Sequence, residues 1–165
     1  MSVAVSIHRK GRLAWVILDR PARRNVLDRQ TLEHLAVGAR ELAADATVAA
    51  ILLRGEGGHF SAGADIDALA AFASPDEARV YAAAGQDACA ALEHAPVPVI
   101  AAIRGSCVGG GLELALSCDF RFAAPDATFG QVELGIGSVA AWGGIRRLPR
   151  VVGVAAAKQL VYTAD

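Results

Sequence analysis

Three short apolar, β-rich runs, at residues 13–18, 49–53 and 99–103, are separated by longer stretches with helical periodicity. Strand, loop and helix therefore recur in order. Parallel strands cannot be joined by a tight turn and need a long crossover, which the helical stretches supply. The pattern predicts an α/β fold with mostly parallel strands and right-handed crossovers. Residues 3–7 alternate, and Lys10-Gly11 reads as a hairpin turn into the run at 13–18. Asp28 suits the N-cap of a helix with apolar positions Leu32, Leu35, Ala36, Ala39 and Leu42. Ser74-Pro75-Asp76 opens a second long helix, with Ala78, Tyr81, Ala82, Gly85, Cys89 and Leu92 on one face. Pro96 and Pro98 end it. The runs at 49–53 and 99–103 read as strands buried on both faces. Residues 120–123 read as another strand, 130–144 as glycine-rich and irregular, and 154–161 as a final helix. No charged linker or low-complexity segment divides the chain, so residues 1–165 are expected to form one domain.

Bulk properties exclude several classes. A hydrophobic content of 54% in 165 residues supports a sizeable core rather than disorder. A net charge of −1 offers no basic field for nucleic acid or an anionic membrane. Cys89, Cys107 and Cys118 form no C-x-x-C pair, so neither a zinc site nor a disulfide framework is indicated. Their odd number fits a reducing compartment, and the cytoplasm is the expected location. At the N-terminus an apolar stretch precedes His8-Arg9-Lys10, the reverse of a signal peptide. No apolar run approaches the length of a membrane span.

Chemistry concentrates in two glycine loops and two carboxylates. Gly109-Gly110-Gly111-Leu112-Glu113 follows the run at 99–103 and opens an apolar helical stretch. Glycine lets backbone approach a ligand closely, and a helix start leaves amide N–H groups unpaired. Glu113 falls one turn in, on the side of Gly110. Phe60-Ser61-Ala62-Gly63-Ala64-Asp65-Ile66 also follows a strand and leads toward a short helix, exposing the Ala64 N–H. Two such donors converging on one carbonyl oxygen would stabilise an oxyanion. Each loop alone reads equally as a tight turn. Glu113, flanked by Leu112 and Leu114, is either a buried carboxylate with a raised pKa or a first-turn residue that complements the helix dipole. Glu133 stands in a glycine-rich apolar stretch. Alone it reads more readily as a solvated loop residue, but two carboxylates in unlike settings can divide acid and base roles.

Other motifs are weaker. Gly105-Ser106-Cys107-Val108-Gly109 sets its serine one place early for a nucleophile elbow, and Ser106 has no evident histidine partner. No glycine pattern matches a dinucleotide fingerprint or a P-loop. His8, His34, His59 and His94 lack ligand spacing, so no metal site is expected. Arg20, Arg23, Arg24 and Arg29 surround Pro21 and Asn25, and serve either phosphate contact or a solvated turn.

In order, Leu18-Asp19-Arg20-Pro21, the loop at 60–66, the segment 98–105, Gly109–Ala115, Cys118-Asp119 and Phe129-Gly130-Gln131-Val132-Glu133 resemble the enoyl-CoA hydratase/isomerase (crotonase) superfamily. The resemblance runs from about Val3 to the last residue. It implies a crotonase-like spiral of repeated strand-strand-helix units, trimers or paired trimers, and acyl-CoA thioester substrates. It implies an oxyanion hole from the N–H groups of Ala64 and Gly110. In the family's hydratases the Glu113 position activates water for attack at Cβ and the Glu133 position protonates Cα. CoA contacts map onto Ala62, Ala64, Asp65, Ile66 and Asp67, with Arg24 beside them. No metal or redox cofactor is implied, and CoA arrives with the substrate. The implied activity is hydration of 2-enoyl-CoA to 3-hydroxyacyl-CoA, with an enoyl-CoA isomerase or a non-catalytic, nucleic-acid-binding relative as alternatives. Ala140-Ala141 stands where many members carry Pro-Gly, and Asp67 where many carry Lys. The family continues with a helical segment that covers the acyl site and builds the trimer. The sequence stops at Asp165, before that segment, and weak activity from these residues alone is the expectation.

Overall fold

The computed structural model describes residues 4–164. Strand β1 (Val5–Lys10) turns at Gly11 into β2 (Leu13–Leu18), and the two pair antiparallel. The predicted first strand thus starts later and runs further, and Val3 lies outside the described residues. Helix α1 (Arg29–Ala44) then crosses over to β3 (Ala50–Gly55), which lies parallel to β2. The short α2 (Ile66–Ala70) and the long α3 (Pro75–Glu93) lead to β4 (Val99–Ile103), parallel to β3. Strand β5 (Ser106–Val108) and α4 (Gly110–Leu116) precede β6 (Phe120–Ala123), parallel to β4. The order β1-β2-β3-β4-β6 makes one five-stranded sheet. Strand β7 (Thr128–Gly130) pairs with β5 in a second, two-stranded sheet. A 3-10 turn (Val132–Ile136), α5 (Gly144–Val152) and α6 (Val154–Thr163) follow.

The helices form for local reasons. The Asp28 carboxylate accepts the Thr31 N–H at 2.8 Å and caps α1. Leu32, Leu35, Ala36, Ala39 and Leu42 make its buried face, which lies against α3, β1 and β2. Each fully buried leucine contributes about 1.5–3 kcal/mol. Ser74 caps α3 through the Glu77 N–H, and Pro75 occupies its first turn. Tyr81, Gly85, Cys89 and Leu92 are buried as expected, joined by Ala88 and Ala91. Ala78 is exposed and Ala82 half-buried.

The strands correct a second expectation. Ile51 and Leu53 of β3, and Val99, Ala101 and Ile103 of β4, are buried, while the residues between them are half-buried. One face of the sheet is closed and the other only partly covered, so these strands are not buried on both faces. Residues 130–144 are also more ordered than expected, since they hold the 3-10 turn, and α5 starts at Gly144.

Candidate active site

The carboxyl ends of β2, β3 and β4 lie side by side, with Leu18 opposite Gly55 and Arg54 opposite Ala102. The loops that leave them are the natural place for a ligand in a sheet of parallel strands. These loops knit into a second layer. The Leu27 N–H donates to the Gly63 carbonyl (2.9 Å) and the Asp65 N–H to the Leu27 carbonyl (3.2 Å). On the far side, the Ser61 N–H reaches the Ser106 carbonyl (3.0 Å) and the Val108 N–H reaches the Ser61 carbonyl (3.1 Å). The loop at 61–65 is thereby held between residue 27 and β5.

Asn25 fixes the same loop from below. It is buried, with φ of 57°, in the left-handed region that asparagine tolerates. Its Oδ1 accepts the Arg20 N–H at 2.9 Å, and its Nδ2 donates to the carbonyls of Glu56 (2.9 Å) and His59 (2.8 Å). The Ser61 hydroxyl donates to the Asn25 carbonyl at 2.8 Å.

This clamping brings the two glycine loops together. Gly63 has φ of +87°, and a Cβ there would stand 2.8 Å from the Val108 carbonyl and 3.1 Å from the Gly110 nitrogen. Only glycine permits that turn and that approach. Neither the Ala64 N–H nor the Gly110 N–H donates a hydrogen bond among the described residues. Two unpaired donors thus occupy adjoining loops.

Glu113 is 2% exposed. Its Oε1 accepts two backbone N–H groups, from Trp142 at 2.8 Å and Gly144 at 2.7 Å. Burial pushes its carboxyl up to about 7; the Gly144 N–H opposes that, the Glu133 charge adds to it, and the Trp142 N–H and Arg147 charge oppose it. Of the two sequence readings, the buried carboxylate is the one observed. Arg147, itself buried, donates to the Trp142 carbonyl (2.8 Å) and to Glu93 on α3 (2.5 Å), tying the turn that holds Glu113 to the core.

Glu133 is half-buried in the 3-10 turn. The Gln131 amide donates to both its oxygens, at 2.8 and 3.0 Å. A Cβ added to Gly109 would lie 3.6 Å from Glu133 Oε1, so this carboxylate adjoins the second glycine loop. The Gln131 Oε1 is buried without a partner.

At the outer edge the pattern changes to side-chain charge. Asp65 is buried and takes Arg23 through both oxygens (2.8 and 3.0 Å), with Arg20 at 3.9 Å. Asp67 is exposed and pairs with Arg23 at 2.5 Å. Arg20 also pairs with Asp28, and Arg29 with Glu33. Arg24 alone of the four arginines has no carboxylate partner among the described residues. Its carbonyl accepts the Ala62 N–H at 2.9 Å, while Ile66 is exposed at the start of α2.

The remaining candidates carry no evident chemistry. The His59 Nδ1 accepts the Ser106 backbone N–H at 3.1 Å, so this ring nitrogen is spent on main chain rather than on the Ser106 hydroxyl. All three cysteines are free and buried, and burial pushes the Cys89 and Cys107 thiols up to about 12. No helix among the described residues is long and apolar enough to cross a membrane.

Trp142, Gly144, Gln131 and Arg147 were not among the expected site residues. Trp142 and Gly144 act on Glu113 through backbone N–H groups, which every non-proline residue has, so the sequence carries no signal for them. Gln131, two residues before a candidate carboxylate in an apolar stretch, was the one that could have been found.

This architecture is matched among known proteins. Residues 8–165 match the enoyl-CoA hydratase/isomerase family, and the chain belongs to it. It is 42% identical to a crotonyl-CoA hydratase from Syntrophomonas wolfei over 162 residues, covering 98% of this chain and 62% of the relative. It is 40% identical to a short-chain-enoyl-CoA hydratase from Clostridium acetobutylicum, with the same coverage. A crystal structure of an enoyl-CoA hydratase/carnithine racemase from Magnetospirillum magneticum superposes with a TM-score of 0.94 at 35% identity, covering 100% of this chain and 62% of that one. An enoyl-CoA hydratase from Bacillus anthracis gives 0.93 at 34% identity, covering 98% and 63%. The chain thus spans a little under two thirds of the length of these relatives, and the crotonase-type fold is established across it.

Proposed function

We propose that this chain carries the site of a 2-enoyl-CoA hydratase, producing 3-hydroxyacyl-CoA. The observation that carries the reading is that two backbone N–H groups without acceptors among the described residues, at Ala64 and Gly110, stand on adjoining loops, with the buried carboxylate of Glu113 one turn into the helix that Gly110 opens. Glu113 removes a proton from water as the water oxygen bonds to Cβ. The π electrons of the double bond move toward the thioester, and the charge on its oxygen is met by the two N–H donors. Glu133 enters the step as the acid and gives its proton to Cα, and the proton that Glu113 took from water returns to Glu133 through solvent before the next turnover, so that H and OH have added across the double bond and both carboxyl groups are restored. A carboxylate with a pKa near neutrality is a stronger base than a solvated one, yet remains substantially ionised. No redox or metal chemistry enters, and CoA is carried by the substrate.

The loop at 62–67 and Arg24 receive the CoA portion. Within that set the Asp65 and Asp67 carboxylates hold the loop through Arg23, and the main chain of Ala62, Ala64 and Ile66 with the Arg24 guanidinium meets the ligand. The names of the hydratase relatives support the reading. A trimer or a pair of trimers, given the C-terminal segment, is the assembly proposed with it.

The test is incubation with crotonyl-CoA, following loss of the conjugated thioester absorbance, with a 3-enoyl-CoA in parallel. Hydration of the first supports the proposal. Appearance of conjugated product from the second, without hydration of the first, replaces it with the isomerase.

A further inference from the structure

We infer that the Trp142 indole sets the length of the acyl group, closing the site to all but short chains. The inference rests on the placement of the thioester proposed above. Trp142 touches the site twice. Its backbone N–H holds Glu113 Oε1 at 2.8 Å, and its ring lies against Gly110, where a Cβ would stand 2.1 Å from Cζ3. A thioester whose oxygen meets the Gly110 N–H and whose Cβ faces Glu113 is bracketed by two points of this one residue. On this inference, carbon atoms beyond Cβ run toward the indole.

The ring has nowhere to retreat. On α3 it meets Gly85, where a Cβ would stand 2.2 Å from indole Cε2 and 2.3 Å from Cδ2 and Nε1. Tyr81 packs edge-on, with ring centroids 5.7 Å apart at 66°, and Phe72 backs Tyr81 at 5.6 Å. Trp142 is only 4% exposed. Bare helix backbone and two further rings stand behind it, and close-packed interiors yield little. A long acyl chain would have to displace the indole as a whole.

The geometry also makes a clean experiment. Substituting the Trp142 side chain keeps the backbone N–H, which is the group that bonds Glu113 Oε1, and the readout is a ratio of rates rather than an absolute rate. We would measure kcat/KM for crotonyl-, 2-hexenoyl-, 2-octenoyl- and 2-decenoyl-CoA with the parent protein, Trp142→Phe, Trp142→Leu and Trp142→Ala, with circular dichroism to check folding. The parent should favour crotonyl-CoA. The ratio of octenoyl to crotonyl rates should rise at least about tenfold in Trp142→Ala, since fitting even one methylene can change rates about 10–200-fold. The Phe and Leu variants should fall between, and serve if the alanine variant does not fold. An unchanged length ranking in folded variants overturns the inference. Calorimetric binding of saturated butanoyl-, hexanoyl- and octanoyl-CoA separates the two proposals. Length-ranked binding that shifts in the variants, without hydration of any enoyl-CoA, sinks the hydratase and keeps the gauge. No binding of any acyl-CoA sinks both.

Discussion

The floor of the site and its rim are built from different materials. On the floor, Glu113 is sealed from water and held by the main chain at Trp142 and Gly144, while the unpaired donors are main-chain groups at Ala64 and Gly110. On the rim, Arg20, Arg23, Asp28, Asp65 and Asp67 form side-chain ion pairs, several of them in reach of solvent. Backbone donors fixed by a folded sheet need no reorganisation when charge develops, and they act in a dry, low-dielectric place. Exposed ion pairs are screened and contribute little each. The comparison teaches that chemistry should be concentrated in the floor, and that the rim should tune binding by small steps.

The sharpest way to break this contrast is to neutralise a floor carboxylate. Glu113→Gln and Glu133→Gln should each lower kcat for crotonyl-CoA hydration by about 10²–10⁴-fold. A floor variant with near-parental turnover would end the two-carboxylate scheme. Next comes the donor geometry. Gly63→Ala places a methyl against the Val108 carbonyl at a positive φ and shifts the neighbouring Ala64 N–H, so kcat should fall by about 10²–10³-fold while KM changes less. Equal losses in a purely rim variant would show that the backbone donors are not special.

Stability against pH probes the dryness of the floor. The Glu113 pKa is raised from 4.5 to about 7 on folding, so between those values the folded state keeps a proton that the unfolded chain has released. Its contribution is therefore fully favourable below about 4.5, and stability is lost as pH rises toward 7. At 1.36 kcal/mol per unit the loss is roughly 3 kcal/mol. Urea unfolding at pH 5 and pH 8 should show Glu113→Gln losing less over that interval than the parent. Parallel curves would mean that Glu113 is not dry. The smallest effect belongs to the rim: Arg24→Ala should raise KM for acyl-CoA severalfold, more at low salt than at high, with kcat nearly unchanged.

Much of this was readable from the chain. Helix α1 follows its apolar spacing and its Asp28 cap, and Leu13–Leu18 and Val99–Ile103 are strands as their composition suggests. The ordered glycine loops pointed to Ala64, Gly110, Glu113 and Glu133 as one group, and the fold brings the loops that carry them together. What escaped was short or nonlocal. Strand β5 is three residues long and pairs with a partner some twenty residues on. Helix α5 hides behind Gly143, Gly144 and Pro149, residues that ordinarily argue against a helix. The donors to Glu113 come from 29 and 31 residues away and have no side-chain signature. The arginine cluster stayed ambiguous because its partner Asp65 lies 42 residues from Arg23.

The Asn25 knot bears on when the site comes into being. Its amide joins carbonyls 31 to 35 residues further along the chain, and these can be reached only once β2 and β3 have found their parallel register. Closing such loops precedes any reward from the contacts they bring. A nascent β1–β2 hairpin holds none of the donor geometry, and local helix formation adds none. The donor geometry of the proposed site is in this sense a late acquisition along the folding coordinate, tied to the same long-range step that completes the sheet.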